Sequence, residues 1–258
     1  MNKRVLTTAL ASFVFSFAAV SQAELIDRGK GLIYDTVLDI TWLQNANLAD
    51  NDDFGVLGVG PDGQMMYATA EDFIEALNSA NYKGFNGWRL PAILPQEGGV
   101  YNDAEEVDGS ADSVYNVTLP GTMYAGSTQS EFAHLHFTTL GNESIWTTSG
   151  SENPNCFSGD CLNNEGPFFN IYDNDQEDSG YWSGSPMPQS DDQWVFFFNC
   201  GAQCHQSNDS EMFVWPVLDG DVAITATSVP MISMWAVWLL VGMLAVTSMV
   251  LIRRNSQT

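Results

Sequence analysis

Four cysteines, three histidines and 32 carboxylates are the side chains of this 258-residue sequence best suited to chemistry. Cys156 and Cys161 form one close pair, Cys200 and Cys204 another. In an exported chain, four cysteines point first to two disulfides, and three pairings are open. Neighbour pairing is favoured here, because each pair flanks a tight loop that a bridge would pin. Two other readings use the same atoms. The run Cys200-Gly201-Ala202-Gln203-Cys204-His205 is one residue longer than the haem-attachment pattern Cys-x-x-Cys-His, and no axial partner stands out. Four thiolates, or three with His205, are familiar zinc ligands, but thiols outside the cytoplasm are usually oxidised.

The acidic side chains suggest a different chemistry. Asp173, Asp175 and Glu177 alternate along the chain, and Asp50, Asp52 and Asp53 cluster in a Gly-rich stretch. Hard oxygen donors suit Ca²⁺, so Asp173, Asp175 and Glu177 are the candidate metal ligands and Ca²⁺ the candidate cofactor. Neither cluster has EF-hand spacing: Phe54 takes the fifth position of one, and Asp178 the glycine position of the other. His134 and His136 would point about 200° apart on a helix and could not share a ligand sphere there. There is no Gly-x-Ser-x-Gly turn, and carboxylate pairs are too plentiful for any one to signal glycoside cleavage. The expectation is a protein that is not an enzyme.

Charge distribution narrows the partners. The basic residues are Lys3, Arg4, Arg28, Lys30, Lys83, Arg89, Arg253 and Arg254, and every acidic residue lies between Glu24 and Asp221. That segment therefore has four basic residues against 32 acidic ones, a formal charge of −28. Nucleic acid is excluded as a partner, because phosphate recognition needs clustered Lys and Arg.

Residues 1–23 have the three parts of a secretory signal peptide: Lys3-Arg4, an apolar run, and Ser21-Gln22-Ala23 with small residues at the cleavage positions. A domain over 24–222 follows, then a linker at 223–228 and a tail at 229–258. The tail holds an uncharged apolar stretch, 229–252, long enough to cross a bilayer as a helix. Arg253-Arg254 at its end would stay cytoplasmic by the positive-inside rule. Val229-Pro230-Met231-Ile232, the apolar helix and the two arginines together resemble a C-terminal sorting signal of the IPTL-CTERM and PEP-CTERM type. That resemblance implies two processing partners, signal peptidase and an exosortase-like protease. It also implies passage through the inner membrane of a Gram-negative cell to the surface or extracellular matrix.

Several elements must position these groups. Leu32-Ile33-Tyr34 and Ile40-Thr41-Trp42-Leu43 read as a hairpin. A helix is expected from Thr69, with Asp72 completing an imperfect capping box and Phe73, Ile74 and Leu77 forming its apolar face. Residues 92–129 read as one long aperiodic loop. A second helix is expected near Ser130, with Gly141 as its C-terminal cap. Aromatic strands are expected at 181–184, 194–198 and 212–217. The tryptophans 42, 88, 146, 182, 194 and 215 could stack on sugars, but most of them read as core or sheet residues. Helices first and strands after give an α+β class, with two helices packed on short antiparallel strands. An N-terminal signal helix and one C-terminal transmembrane helix complete the expected architecture.

Five motifs occur in order: Gly31-Leu32-Ile33-Tyr34-Asp35, Thr41-Trp42-Leu43-Gln44, Gly87-Trp88-Arg89-Leu90-Pro91, Tyr181-Trp182-Ser183-Gly184 and Trp194-Val195-Phe196-Phe197-Phe198. Together they resemble the DUF1566 family, also called the Lcl C-terminal domain. The resemblance implies a C-type-lectin-like fold and a surface binding role, with polysaccharide or protein as ligand. A matrix component without a specific ligand is the alternative, and a periplasmic cysteine or metal enzyme a more distant one. This chain ends the family pattern with Val214-Trp215-Pro216-Val217-Leu218 and lacks the usual basic step. Some relatives bind sulfated polysaccharides, and a body at −28 is not expected to share that ligand.

Overall fold

The computed structural model describes residues 24–156, 160–172, 179–188 and 190–222. The expected signal (1–23), the linker and tail (223–258), and Asp173, Asp175 and Glu177 lie outside the described residues. In chain order the elements are β1 (Leu25–Gly29), β2 (Leu32–Asp35), β3 (Ile40–Leu43), α1 (Tyr67–Ser79), β4 (Glu105–Glu106) and β5 (Ser113–Tyr115). There follow α2 (Glu131–Ala133), which runs on as a π-helix over His134–Thr139, then β6 (Tyr181–Pro186), β7 (Asp192–Phe197), β8 (Ala202–Ser207) and β9 (Val217–Asp219). One sheet has the order β1-β2-β3-β9, the other β4-β5-β8-β7-β6. All pairings are antiparallel except β4 with β5. The class is mixed α and β, mostly sheet, with two short helical segments.

The β2–β3 hairpin forms as expected, for a visible local reason. Asp35 is buried, and its Oδ1 accepts the backbone N–H groups of Val37 (2.9 Å) and Leu38 (3.1 Å), which reverses the chain. Asp39 then takes φ = 52°, a conformation that Asp tolerates better than most residues. β3 pairs with β9, so the two ends of the described domain share one sheet.

Helix α1 begins two residues before the expected Thr69, and its N-cap, Met66, makes no side-chain cap hydrogen bond. The expected capping box is therefore not used. The start is fixed from outside the helix instead: Met65 exchanges backbone hydrogen bonds with Met212 (2.9 and 3.0 Å), and the Tyr67 N–H reaches Asn208 O at 3.2 Å. Ala70, Phe73 and Leu77 form its buried stripe. The second helix starts as expected: Ser130 caps it by accepting the Ala133 N–H at 3.2 Å. It widens to π geometry, with Leu140 N–H bonding to Leu135 O, and stops at Gly141 with φ = 71°.

Two expectations are corrected. The segment 92–129 is not one structureless loop, because it contributes β4 and β5 to the second sheet. Buried Asp112 organises it, accepting the N–H groups of Gln96 and Asn102, each at 2.7 Å. The segment 212–217 is not one strand. Met212 bridges Met65, Phe213 bridges Tyr181, and Val217 turns to β3 and Arg89, so these residues stitch the two sheets together.

The core is aromatic. Trp42, Phe132, Phe168, Tyr181, Phe196, Phe198 and Trp215 meet with ring centroids 4.9–6.5 Å apart, in tilted and edge contacts for the most part. The Nε1–H groups of Trp182 and Trp215 are satisfied by Met65 O (2.8 Å) and Leu43 O (2.7 Å). Of the six tryptophans among the described residues, only Trp146 is half-exposed, and the other five are core residues. No described helix is long and apolar enough to cross a membrane.

Candidate functional site

A cleft of about 740 Å³ runs along α1. Its floor is built from Ile74, Trp88, Leu90 and Ala92, and its rim carries Tyr67, Glu71, Glu75, Asn78, Ser79, Asn86 and Arg89. Tyr67, Glu71, Glu75 and Ser79 stand four residues apart, so one face of α1 supplies the whole wall. The Tyr67 ring meets Trp182 edge-on at 5.4 Å, which sets its orientation. Burial, then the nearby Glu71 carboxylate, push the Tyr67 hydroxyl above its ordinary pKa, so it stays a neutral donor at physiological pH.

The opposite wall is residues 86–92. Asn78 fastens it to α1: its Nδ2 donates to Trp88 O (2.9 Å), and its Oδ1 accepts the Trp88 N–H (2.8 Å). Arg89 fastens it to the rest of the fold. Its guanidinium forms a bidentate pair with Glu131 (2.7 and 2.8 Å), donates from Nε to Asp219 (2.7 Å), and reaches Leu90 O at 3.0 Å. Burial works to lower the Arg89 pKa, but its hydrogen bonds and charge contacts with Glu131 and Asp219 outweigh that and raise it. Gly184, from β6, completes the floor and donates its N–H to Pro91 O at 2.8 Å. Two of the five sequence motifs thus converge on this cleft, 87–91 and 181–184.

A second cleft, about 590 Å³, lies between α2's end and the 142–155 segment. Its one carboxylate, Glu143, accepts from Asn153 Nδ2 (2.6 Å) and Asn155 Nδ2 (3.0 Å), and these bonds hold its pKa below the usual range. His136, fully buried behind it, contacts Glu143 O through Nε2 at 3.0 Å. Burial lowers the His136 pKa to about 4.

The cysteines are divided. Cys156 and Cys161 are bridged, as the neighbour pairing expects, with Cα atoms 4.6 Å apart. Cys200 and Cys204 are both free thiols, so the second expected bridge is not formed. Burial raises their pKa values to about 12 and about 11, which keeps them protonated. Cys204 and His205 are neighbours on β8 and project to opposite faces, so they cannot converge on one ion. The His205 ring nitrogens lie 2.9 Å from Asp192 and 3.1 Å from Asp103. His134 and His136 are buried apart, on the carbonyls of Ser127 and Glu143.

Asp50, Asp52 and Asp53 line a small polar depression, but the Oδ1 atoms of Asp52 and Asp53 accept the N–H groups of Phe54 (3.0 Å) and Gly55 (2.8 Å). Among the described residues no group of three or more His, Cys, Asp or Glu could hold a metal ion. The α1 wall is absent from the functional residues that motif patterns suggest. Its signal was present all the same, as the four-residue repeat Tyr67, Glu71, Glu75, Ser79.

No curated protein and no solved structure matches the chain. The model of the Lcl C-terminal domain matches residues 31–218, a span that begins in the β1–β2 turn and ends in β9. It takes in both walls of the α1 cleft and all five ordered motifs, and on that match the chain belongs to the Lcl C-terminal domain family.

Proposed function

We propose that this protein is an exported, non-enzymatic binding protein of the cell surface or extracellular matrix. Its domain is C-type-lectin-like and holds a carbohydrate in the α1 cleft. The observation that carries this reading is the cleft's build. An apolar floor of Ile74, Trp88 and Leu90 faces a rim of hydroxyl, amide and carboxylate groups, the mix that a sugar's apolar faces and hydroxyls require. Delivery follows from the chain ends: a signal peptide over 1–23 removed by signal peptidase, and a sorting tail over 229–258 removed by an exosortase-like protease. Ca²⁺ is a candidate cofactor through Asp173, Asp175 and Glu177.

A glycan array probed with the mature protein, with and without Ca²⁺, tests the binding role. A selective signal is expected, and silence in both arms would favour a matrix component without a specific ligand. Intact mass of the surface-released protein tests delivery, with loss of 229–258 expected.

A further inference from the structure

We infer that the second cleft, between the end of α2 and the 142–155 segment, is a separate site for an uncharged saccharide; it stands on its own residues and does not depend on the α1 cleft. The argument starts from Trp146. Of the six described tryptophans it alone is half-exposed, and it lines this cleft. A partly open aromatic ring in a concave site offers the C–H face of a sugar ring an apolar surface to cover. The backbone that carries it is fixed. Residues 145–153 fold back on themselves, with the Thr147 N–H on Ser151 O and the Asn153 N–H on Ile145 O, each at 2.8 Å. Asn116 ties this turn to the 92–129 segment, its Nδ2 donating to Trp146 O (2.8 Å) and Val107 O (2.7 Å).

Those two bonds use both amide protons of Asn116. Its Oδ1 is buried, with no partner among the described residues, and Asn116 lines the cleft. A buried acceptor left open in this way calls for a donor. The backbone is strained where it presents this side chain: Val114 (φ = 73°) and Asn116 (φ = 62°) both lie in the left-handed region, which a β-branched valine adopts only at a cost. Glu143 supplies a second open acceptor. Both asparagine amides bond to its Oε2, at 2.6 and 3.0 Å, and Oε1 has no hydrogen bond among the described residues.

Charge and hydrogen-bonding type give the ligand class. No Lys, Arg or His lines the cleft, and Glu143 is its one charged side chain, so carboxylated and sulfated ligands meet repulsion there. Thr148 and Asn155 add exposed groups that can both donate and accept. A sugar hydroxyl does both as well, whereas an ammonium has no lone pair with which to accept. The volume of about 590 Å³ lies in the range of small-ligand sites and admits a short oligosaccharide.

The test reads the full chain on an array of uncharged, uronate-bearing, sulfated and amine-bearing oligosaccharides, then by hydroxyl-radical footprinting with the strongest uncharged glycan. Uncharged glycans are expected to give the strongest signals, and Trp146 to lose most of its oxidation when the glycan is bound. Trp146→Ala is expected to weaken binding about tenfold, and Trp146→Phe, which keeps a ring, by less. Glu143→Gln keeps an acceptor for the two asparagines and is expected to cost about fivefold. Footprinting needs no substitution, so it decides the site even where a variant fails to fold. Protection of Tyr67 without Trp146 would overturn this site and leave the α1 reading standing, and protection of Trp146 without Tyr67 would do the reverse. Stronger signals from sulfated, uronate-bearing or amine-bearing glycans would overturn the uncharged class. Unchanged binding by Trp146→Ala would overturn the stacking platform, and silence from every glycan would remove both sites.

Discussion

The α1 cleft and the 142–155 cleft are similar in size and opposite in the state of their carboxylates. In the first, Glu71 and Glu75 have no cation against them among the described residues, while the Arg89 guanidinium is engaged by Glu131 and Asp219. In the second, the one carboxylate is held by two asparagine amides and backed by a buried histidine. Volume alone would rank them nearly equal. What separates them is the state of their carboxylates: Glu143 is held by two amides, whereas Glu71 and Glu75 have no cation against them among the described residues. The two are also held differently, the first by an ion-pair hub at Arg89 and the second by amide hydrogen bonds and the nearby Cys156–Cys161 bridge.

The largest effect should come from breaking the hub. Arg89→Ala leaves Glu131 buried without its partner and is expected to cost about 3–5 kcal/mol in urea unfolding. Part of that should return in Arg89→Ala/Glu131→Gln. A cost below about 1 kcal/mol would mean that the first cleft does not depend on the hub.

Acid should weaken the second cleft before the first. His136 is folded with a pKa of about 4 against an ordinary 6.5. The unfolded chain therefore binds more protons between those values, and stability falls as pH drops through that window. The loss approaches about 3 kcal/mol by pH 4. Glu143 acts in the same direction further into acid, since its lowered pKa gives stability above the unfolded value that is lost as pH falls through the folded one. Melting temperature against pH reads the sum, and His136→Phe should flatten the part between pH 6.5 and 4.

Reduction of Cys156–Cys161 closes the series at the second cleft. A bridge over so short a loop is worth about 2 kcal/mol, and amide exchange over 142–156 should rise while exchange in α1 does not. Thiol labelling of the denatured, unreduced chain should find Cys200 and Cys204 alone. The smallest effect on folding belongs to Glu71→Gln/Glu75→Gln, expected within about 0.5 kcal/mol of the parent, because both side chains are exposed and neither forms an ion pair among the described residues. A larger destabilisation would make the first cleft as structural as the second.

Local features were legible where the cause was local. The β2–β3 hairpin follows from two short apolar runs and from Asp35, whose carboxylate bonds two and three residues ahead. The Ser130 cap and the Gly141 stop follow from side-chain and backbone chemistry within one turn. The start of α1 was not legible, because Met212 and Asn208 fix it from the far end of the chain. Nor were β4 and β5, which exist because β8 offers an edge and Asp112 gathers the loop behind them.

By itself the sequence determined the acidic body, the order of the motifs, the hairpin, the Ser130 cap and the Gly141 stop. These depend on residue type and on contacts within a few residues. The tertiary structure decided which of the many carboxylates are spent and which are free. Arg89 takes Glu131 from 42 residues away and Asp219 from 130 away, and that choice leaves Glu71 and Glu75 as the open charges of the cleft. Pairing across such distances depends on the packing of two sheets and a helix, which no local period encodes.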